Sequence, residues 1–154
     1  MIRIGTAGWS IPRDEADAFA PAGTALERYA TRFPATEINS SFHRPHRDST
    51  WQRWRDSVPA DFRFSVKMPK AVTHQRRLAD CTGLLAEFLD QVKGLGDKLA
   101  VLLVQLPPKL KLDPGVVRPF FRELGGRSAG GIACEARDPR WFTPGEGDLL
   151  EQVV

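Results

Sequence analysis

Cysteine is scarce in this chain of 154 residues, in which only Cys81 and Cys134 occur. Two cysteines so far apart form neither a CxxC metal motif nor the dense framework of a disulfide scaffold, and we expect both to be buried thiols. Long apolar runs are missing as well, because no stretch approaches the ~18 uninterrupted apolar residues that span a bilayer. The first residues lack the apolar segment of a secretory signal. We therefore expect a cytoplasmic protein without a membrane span.

Phosphate-binding fingerprints are also missing, since no GxGxxG follows the first predicted strand and no GxxxxGKS or GxxxxGKT occurs anywhere. The charge excess is small, with 22 lysines and arginines against 19 aspartates and glutamates, for a formal net charge of +3. Such a mild excess does not by itself indicate a nucleic-acid-binding protein. The composition, with 42% hydrophobic and 27% charged residues, is typical of a globular domain.

Strand-like and helix-like patterns alternate along the chain. The predicted strands begin about every 32 residues, which is the length of a βαβ unit rather than of a hairpin, so the pattern predicts a parallel sheet. The strands are predicted at 2–5, 35–39, 62–67, 99–105 and 131–136. The helices are predicted at 26–33, 50–57, 84–92 and 116–124. The last helix is entered through Asp113 and Pro114 and is expected to stop at Gly125.

The faces of the predicted strands favour a barrel over an open sheet. On the third strand, alternation separates the apolar Phe64 and Val66 from the polar Ser65 and Lys67. An open sheet with helices on both faces would bury the polar set, which costs free energy unless partners are present. In a (β/α)₈ barrel the polar side chains point to a common axis and satisfy one another. The apolar run at 99–105 is typical of a strand covered on both faces. We therefore expect an α/β fold of TIM-barrel type.

Polar side chains concentrate at the carboxyl ends of the predicted strands, where active sites of parallel α/β proteins are built. The candidates are Asn39, Lys67, Gln105, Glu135 and Arg137, with Glu37 one layer lower. Three inward cations, Arg63, Lys67 and Arg137, face two carboxylates, and this balance favours a small anionic ligand carrying a phosphate or a carboxylate. The alternative is that the carboxylates of Glu37 and Glu135 only neutralise these cations in a polar interior.

These residue types suggest an acid/base enzyme, such as a hydrolase, lyase or isomerase, that acts on the anion. Arg137 and Lys67 would anchor the ligand, and Glu135 or Glu37 would move a proton. His74 lies in a polar loop seven residues after Lys67. It would assist because imidazole titrates near neutrality; the alternative is an ordinary surface histidine.

A metal and a backbone anion site are two further possibilities. Glu37, His74 and Glu135 are residue types that bind zinc, manganese or magnesium. Nothing in their spacing demands a metal, so no cofactor is implied. The glycine-rich turn at 5–9 could present backbone N–H groups to an anion, with its tryptophan as a wall of the pocket. It could equally be a tight turn that uses glycine for its backbone freedom.

The segment 43–55 is the sequence's strongest indication of nucleic acid. It interleaves arginines and histidines with Trp51 and Trp54, a combination that suits single strands. The same tryptophans recur with Val58 at helical spacing, which instead predicts a core-facing stripe and a solvated arginine face. A nucleic-acid-binding module is therefore the alternative to the anion-binding enzyme.

Short motifs follow one another in a defined order along the chain. They are IGTAGWS at 4–10, TEINSSF at 36–42, FRFSVKMP at 62–69 followed by TH at 73–74, GDKL at 96–99, VQLPP at 104–108, and EAR at 135–137 followed by Trp141. Together they resemble the YecE-like family, domain of unknown function 72. The resemblance implies a TIM-type barrel and no particular reaction. It adds Thr6, Trp9 and Trp141 to the candidate substrate-binding residues.

The length differs from what that resemblance implies, because members of the family look longer, with about three more βα units. A TIM barrel takes ~250 residues, whereas this sequence has 154. We therefore expect residues 1–154 to be the N-terminal portion of one barrel domain, with about five units of eight. An open strand edge and an uncovered face would favour self-association. An inactive, truncated barrel is a further alternative.

Overall fold

The computed structural model describes residues 2–142, which form a five-stranded sheet. Its strands are β1 (Gly5–Ala7), β2 (Ala35–Ile38), β3 (Arg63–Lys67), β4 (Leu99–Gln105) and β5 (Gly131–Glu135). Neighbouring strands are all parallel, and they lie in the order β1-β2-β3-β4-β5. The predicted α/β chain with a parallel sheet is confirmed.

The first strand lies later in the chain than the predicted 2–5. The two isoleucines that made the earlier segment resemble a strand are largely exposed. Strand pairing begins where Gly5 lies opposite Ala35, and a Cβ atom on Gly5 would lie only 1.9 Å from the Ala35 carbonyl oxygen. The two backbones therefore approach closely enough to require glycine at this position.

Within the described residues, four α-helices connect the strands. They are α1 (Ala25–Ala30), α2 (Asp48–Asp56), α3 (Thr82–Val92) and α4 (Pro114–Arg127). A capping box starts α1, because Thr24 and Glu27 exchange hydrogen bonds between side chain and backbone. Asp113 caps α4 as predicted, with its side chain accepting a hydrogen bond from the Gly115 amide.

The end of α4 differs from the prediction. The sequence places the stop at Gly125, whereas the helix continues to Arg127. The Arg127 guanidinium pairs with the Glu123 carboxylate one turn earlier, at 2.9 Å. An arginine in the last turn also interacts favourably with the helix dipole, so the helix extends past its glycines.

Alternating burial along the strands separates two faces of the sheet. One face packs under the helices, and its buried side chains include Thr36, Ile38, Phe64, Val66, Leu102 and Val104. The other, which we call the open face, carries half-buried or exposed residues: Glu37, Ser65, Lys67, Val101, Leu103, Gln105, Ala133 and Glu135. The predicted alternation on β3 is confirmed. The apolar sequence of β4 predicts a strand that is covered on both faces. Within residues 2–142, only one face of β4 is covered.

The predicted core-facing stripe of α2 is confirmed. Trp51 is fully buried and Val58 is 7% exposed, while the half-buried Trp54 meets Trp9 edge to face, with 5.3 Å between ring centroids. Gly94, just after α3, lies so close to Trp51 that a Cβ atom on it would be 2.6 Å from the Trp51 Cβ. The rings that a nucleic-acid site would need as stacking surfaces are therefore packed within the protein.

Both cysteines are free thiols. Cys81 is buried as predicted and Cys134 is half-buried, and burial raises the pKa of the Cys134 thiol to about 11. Between residues 2 and 142, no helix is long and apolar enough to cross a bilayer. The cytoplasmic location stays a prediction.

Candidate functional site

Four of the predicted residues meet at the carboxyl ends of β3, β4 and β5. The Gln105 side-chain amide donates to Glu135 Oε2 at 2.8 Å, and Arg137 Nε donates to Glu135 Oε1 at 2.9 Å. Lys67 lies on the same face, one strand away, where it pairs in register with Leu103. Together with His74, these residues form what we call the strand-end cluster: Lys67, His74, Gln105, Glu135 and Arg137.

Glu135 is the one carboxylate of the strand-end cluster. The hydrogen bond from Gln105 is the main reason why its pKa is lowered, and Arg137 and Lys67 lower the pKa further. Partial burial acts in the opposite direction. The carboxylate is thus ionised at neutral pH with both oxygens engaged, an arrangement better suited to holding Gln105 and Arg137 in place than to accepting a proton.

The two cations of the cluster retain free hydrogen-bond donors. Lys67 Nζ lies 4.6 Å from the centroid of the Phe42 ring, a cation–π contact that leaves its N–H groups unused. Arg137 uses only Nε toward Glu135, and among residues 2–142 its two Nη atoms have no partner. An arginine fork and a lysine with open donors form the kind of arrangement that binds phosphate or carboxylate.

His74 lies in a π-helical turn, Ala71–Gln75, that follows β3. Its Nδ1 is 2.8 Å from the hydroxyl of the buried Thr73, and its ring meets Phe42 edge to face at 5.0 Å. Burial lowers the pKa of His74, and the nearby charges of Lys67, Arg137 and Lys70 lower it further. The imidazole is therefore neutral at pH 7 and able to accept a proton.

Glu37 lies one layer below Lys67, as predicted, because it pairs in register with Ser65. The Ser65 hydroxyl donates to Glu37 Oε2 over a long 3.4 Å, and no cation of the described chain lies within ion-pair distance. Arg63 lines the same part of the open face but makes no ion pair with Glu37, and its Nη1 donates to the carbonyls of Ala60 and Phe62. A cavity of about 380 Å³ lies over this part of the open face and includes Glu37 in its lining. The alternative, in which both carboxylates only neutralise inward cations, is thus met in residues 2–142 for Glu135, which pairs with Arg137, but not for Glu37.

Three predicted substrate-binding residues lie away from the cluster. The Thr6 hydroxyl donates to the Gly8 carbonyl at 2.6 Å and lies 3.0 Å from the Tyr29 hydroxyl on the helix side of the sheet. Trp9 packs edge to face against the half-buried Trp54 of α2. Trp141 is buried, and its indole N–H donates to the Leu110 carbonyl at 2.7 Å. Their geometry is that of packing and turn residues.

The glycine-rich turn uses backbone N–H groups internally. Thr6 N–H donates to the Tyr29 hydroxyl at 2.8 Å, and Gly8 N–H donates to the Glu37 carbonyl at 2.9 Å. Gly8 has a φ of 81°, which glycine adopts without strain. Of the two interpretations, these contacts favour the tight turn over an anion site.

Asn39 and the residues after it form a support that sequence reasoning missed. The Asn39 carbonyl accepts from the Phe42 amide at 3.1 Å, closing a short 3₁₀ turn, Ser40–Phe42. The buried Ser41 hydroxyl lies within hydrogen-bond distance of the Ile38 carbonyl at 3.0 Å and of the Lys67 carbonyl at 2.7 Å. This turn joins the ends of β2 and β3 and places the Phe42 ring beneath Lys67. In the sequence, the one sign of this support is Phe42, an aromatic residue within an otherwise polar loop.

A metal centre finds no support in the part of the chain that the structure describes. Across residues 2–142, no group of three or more His, Cys, Asp or Glu side chains is arranged to hold an ion. Glu37 and Glu135 lie in different layers of the open face, with the two strands β3 and β4 between them. Lys67 and Arg137 also place positive charge near His74, which opposes a cation.

Solved structures with the same fold come from two bacteria. The crystal structure of a DUF72 family protein from Enterococcus faecalis V583 matches 99% of this chain and 55% of its own, with a TM-score of 0.76 and 22% sequence identity. A DUF72 family protein from Thermotoga maritima MSB8 matches with the same TM-score and identity, over 99% of this chain and 62% of its own. At this level of identity the comparison shows the mixed α/β fold alone.

Curated relatives are similar in sequence. UPF0759 protein YecE of Escherichia coli K12 is 32% identical over 148 residues, covering 95% of this chain and 52% of the relative. UPF0759 protein YunF of Bacillus subtilis 168 is 29% identical over 159 residues, covering 94% of this chain and 53% of the relative. The chain thus spans about half the length of the curated relatives that it matches. The family model described as "Protein of unknown function DUF72" matches residues 3–153, and the chain belongs to that family.

Proposed function

We propose that this chain binds a small anion, bearing a phosphate or a carboxylate, at the strand-end cluster. One observation carries the proposal: Lys67 on the open face and Arg137, held by Glu135 at the end of β5, both carry donors that no residue of the described chain uses. Glu135 and Gln105 hold the arginine in place through the pair of hydrogen bonds at the end of β5. A guanidinium fixed through Nε leaves its two Nη atoms to face a ligand oxygen pair.

The acid/base chemistry proposed here rests on His74 and Glu37 more than on Glu135. His74 is a neutral imidazole whose Nδ1 is engaged with Thr73, so Nε2 is the nitrogen that would exchange a proton with the ligand. Glu37 keeps one carboxylate oxygen free among the described residues. A hydrolase, lyase or isomerase acting on an anionic substrate fits these roles.

We further propose that the sheet is five of the eight units of a TIM-type barrel, with residues 1–154 as its N-terminal portion. Helices cover one face, and the polar side chains of the other face would then line the barrel interior. The relatives' greater length and the TM-scores support this. The open face and the outer edges of β1 and β5 are also where a second copy of the chain would associate.

Calorimetric titration of the chain with inorganic phosphate, and with a panel of phosphate- and carboxylate-bearing metabolites, tests the anion site. The double variant Lys67→Gln, Arg137→Gln removes both cations and keeps side chains of similar length. We expect the affinity for the bound anion to fall at least about a hundredfold, because two charged contacts of roughly 1.5–3 kcal/mol each are lost and a factor of ten corresponds to about 1.4 kcal/mol.

The matched control is Arg13→Gln, Arg32→Gln, which removes two exposed cations from the segment between β1 and β2. It should leave the affinity unchanged. Equal affinity in the wild type and the Lys67, Arg137 variant, or equal losses in both double variants, would contradict the proposed site.

A further inference from the structure

A second concentration of positive charge lies outside the strand-end cluster. The loops that follow β3 and β4 enclose a groove with a volume of about 500 Å³. We call it the basic groove, and its lining residues are Arg76, Arg77, Ala79, Lys109, Leu110, Lys111, Asp113 and Val116. It shares no residue with the strand-end cluster.

The charges of the basic groove are unbalanced, with four cations against the single carboxylate of Asp113. Asp113 is already engaged as the N-cap of α4, where it accepts from the Gly115 amide at 2.9 Å. Asp138 lies close enough to Lys111 for that charge to lower its pKa, but it pairs with Arg140. Four exposed cations that border one groove attract an anion to it, because one engaged carboxylate does not balance their charge.

Strained backbone holds the arginines of the groove in position. Arg77, Leu78 and Asp80 have φ values of 52°, 72° and 48°, a left-handed conformation that non-glycine residues rarely adopt. Leu78 is only 3% exposed, and its amide donates to the Val72 carbonyl at 3.0 Å. Burial of this leucine in the core offsets the strain and leaves the arginines before it on the surface.

The opposite wall of the groove is also fixed. Arg77 Nη2 donates to the Lys109 carbonyl at 3.3 Å, which joins the two loops across the groove. The neighbouring Leu110 carbonyl accepts from the buried Trp141 indole. The cationic side chains of Arg76, Lys109 and Lys111 have no ion-pair partner within residues 2–142. Loops anchored in this way lose less conformational entropy when an anion binds.

We propose that the basic groove is a second anion-binding site, independent of the strand-end cluster, and that it binds a ligand with several linked phosphates. A single phosphate can satisfy one or two cations, whereas a short chain of phosphates spans the four that line the groove. The inference goes beyond the proposed function, because the groove shares no side chain with that site.

Titration of the chain with tripolyphosphate at low ionic strength tests this proposal, since salt screens exposed charges. Arg77→Gln, Lys109→Gln removes one cation from each wall, and we expect the affinity for tripolyphosphate to fall about tenfold. Lys109→Gln, Lys111→Gln leaves the strained loop untouched and should weaken binding similarly. Circular dichroism melting curves identify a variant that has failed to fold.

The control variant Arg13→Gln, Arg32→Gln should bind tripolyphosphate as the wild type does. The variant Lys67→Gln, Arg137→Gln should also keep this binding while losing the anion of the strand-end cluster, so failure of one site is distinguishable from failure of the other. No tripolyphosphate binding by the wild type, undiminished binding by both groove variants, or an equal loss in the control would overturn the second site.

Discussion

At the scale of single residues, Phe42 organises the strand-end cluster. Its ring lies beneath the Lys67 ammonium and meets the His74 imidazole edge to face. The ring therefore contacts both a fixed positive charge and a titratable group, and it covers part of the imidazole. This explains why burial is the largest cause of the lowered His74 pKa, with the Lys67 charge next.

Replacement of Lys67 by glutamine should raise the pKa of His74. The change removes a nearby positive charge that disfavours the imidazolium, but the pKa should stay below its ordinary value because burial remains. Titration of the imidazole by NMR measures the shift. Lys93→Gln, which removes an exposed lysine paired with Asp90, is the control and should leave His74 unchanged. An unaltered pKa in the Lys67 variant would show that the charge does not act on the imidazole.

The lowered pKa of His74 also makes the stability of the folded chain depend on pH. Because the pKa of His74 is lower in the folded chain, both states are neutral at this position above the ordinary histidine pKa of about 6.5. Below that pH the unfolded chain binds a proton that the folded chain resists, so stability falls as the pH decreases through this range and levels off below the folded pKa. The Lys67 variant should lose less stability over the same range.

Period-two alternation predicts which side chains of a strand share a face. It does not predict which residues outside the strand pack against those side chains. Lys67 and Glu37 lie on the open face and in the layers that the sequence predicts. Phe42 and Ser41 belong to the motif at 36–42, but their supporting role is not predicted because a 3₁₀ turn of three residues has no periodicity. Trp141 is a candidate only through the family resemblance, whereas its large apolar surface favours the burial that the structure shows.

At the scale of elements, the turn between α3 and β4 shows what short-range patterns miss. The sequence indicates only that Gly94 follows a helix. In the structure Gly94 lies against Trp51 of α2, so it is the absence of a side chain that lets the two elements pack. This tertiary contact joins residues far apart in the sequence, and no local propensity specifies it.

Gly94→Ala should destabilise the fold, because the added methyl group would lie 2.6 Å from the Trp51 Cβ. Overpacking of this kind costs about 1–3 kcal/mol. The control is Gly125→Ala in α4, where an added Cβ meets nothing within 4 Å, and alanine should stabilise the helix by up to about 1 kcal/mol. Chemical denaturation measures both free energies of unfolding. Equal stability of the Gly94 variant and the wild type would contradict the close packing.

Strand and helix boundaries were predicted less well than the elements themselves. The first strand was placed three residues too early by its isoleucines, because apolar residues at an exposed chain start mimic a strand. The register of Gly5 against Ala35 decides where the strand begins, and it puts Thr6 opposite Thr36 on the helix side. Thr6, a substrate-binding candidate, therefore lies on the face opposite the strand-end cluster.

At the scale of the whole molecule, the open face combines the proposed site with apolar side chains. Val101 and Leu103 on the central part of β4 are half-buried, and Ala133 beside them is exposed. The outer edges of β1 and β5 are unpaired within residues 2–142. Exposed apolar surface next to free strand edges favours association with another polypeptide, and a second copy of the chain is the partner always present.

Val101→Asp should weaken the proposed self-association. The side chain lies on the open face next to Ser65 and Gly131 in register, so a carboxylate there would lose its hydration when a second copy covers the face. Sedimentation velocity over a series of concentrations should show dimers for the wild type and a shift to monomers for the variant. Gln52→Glu adds the same charge on the exposed side of α2 and should leave the dimer intact. A wild-type chain that stays monomeric at every concentration would show that this interface does not form. A Val101→Asp variant that still dimerises would show that the interface lies elsewhere.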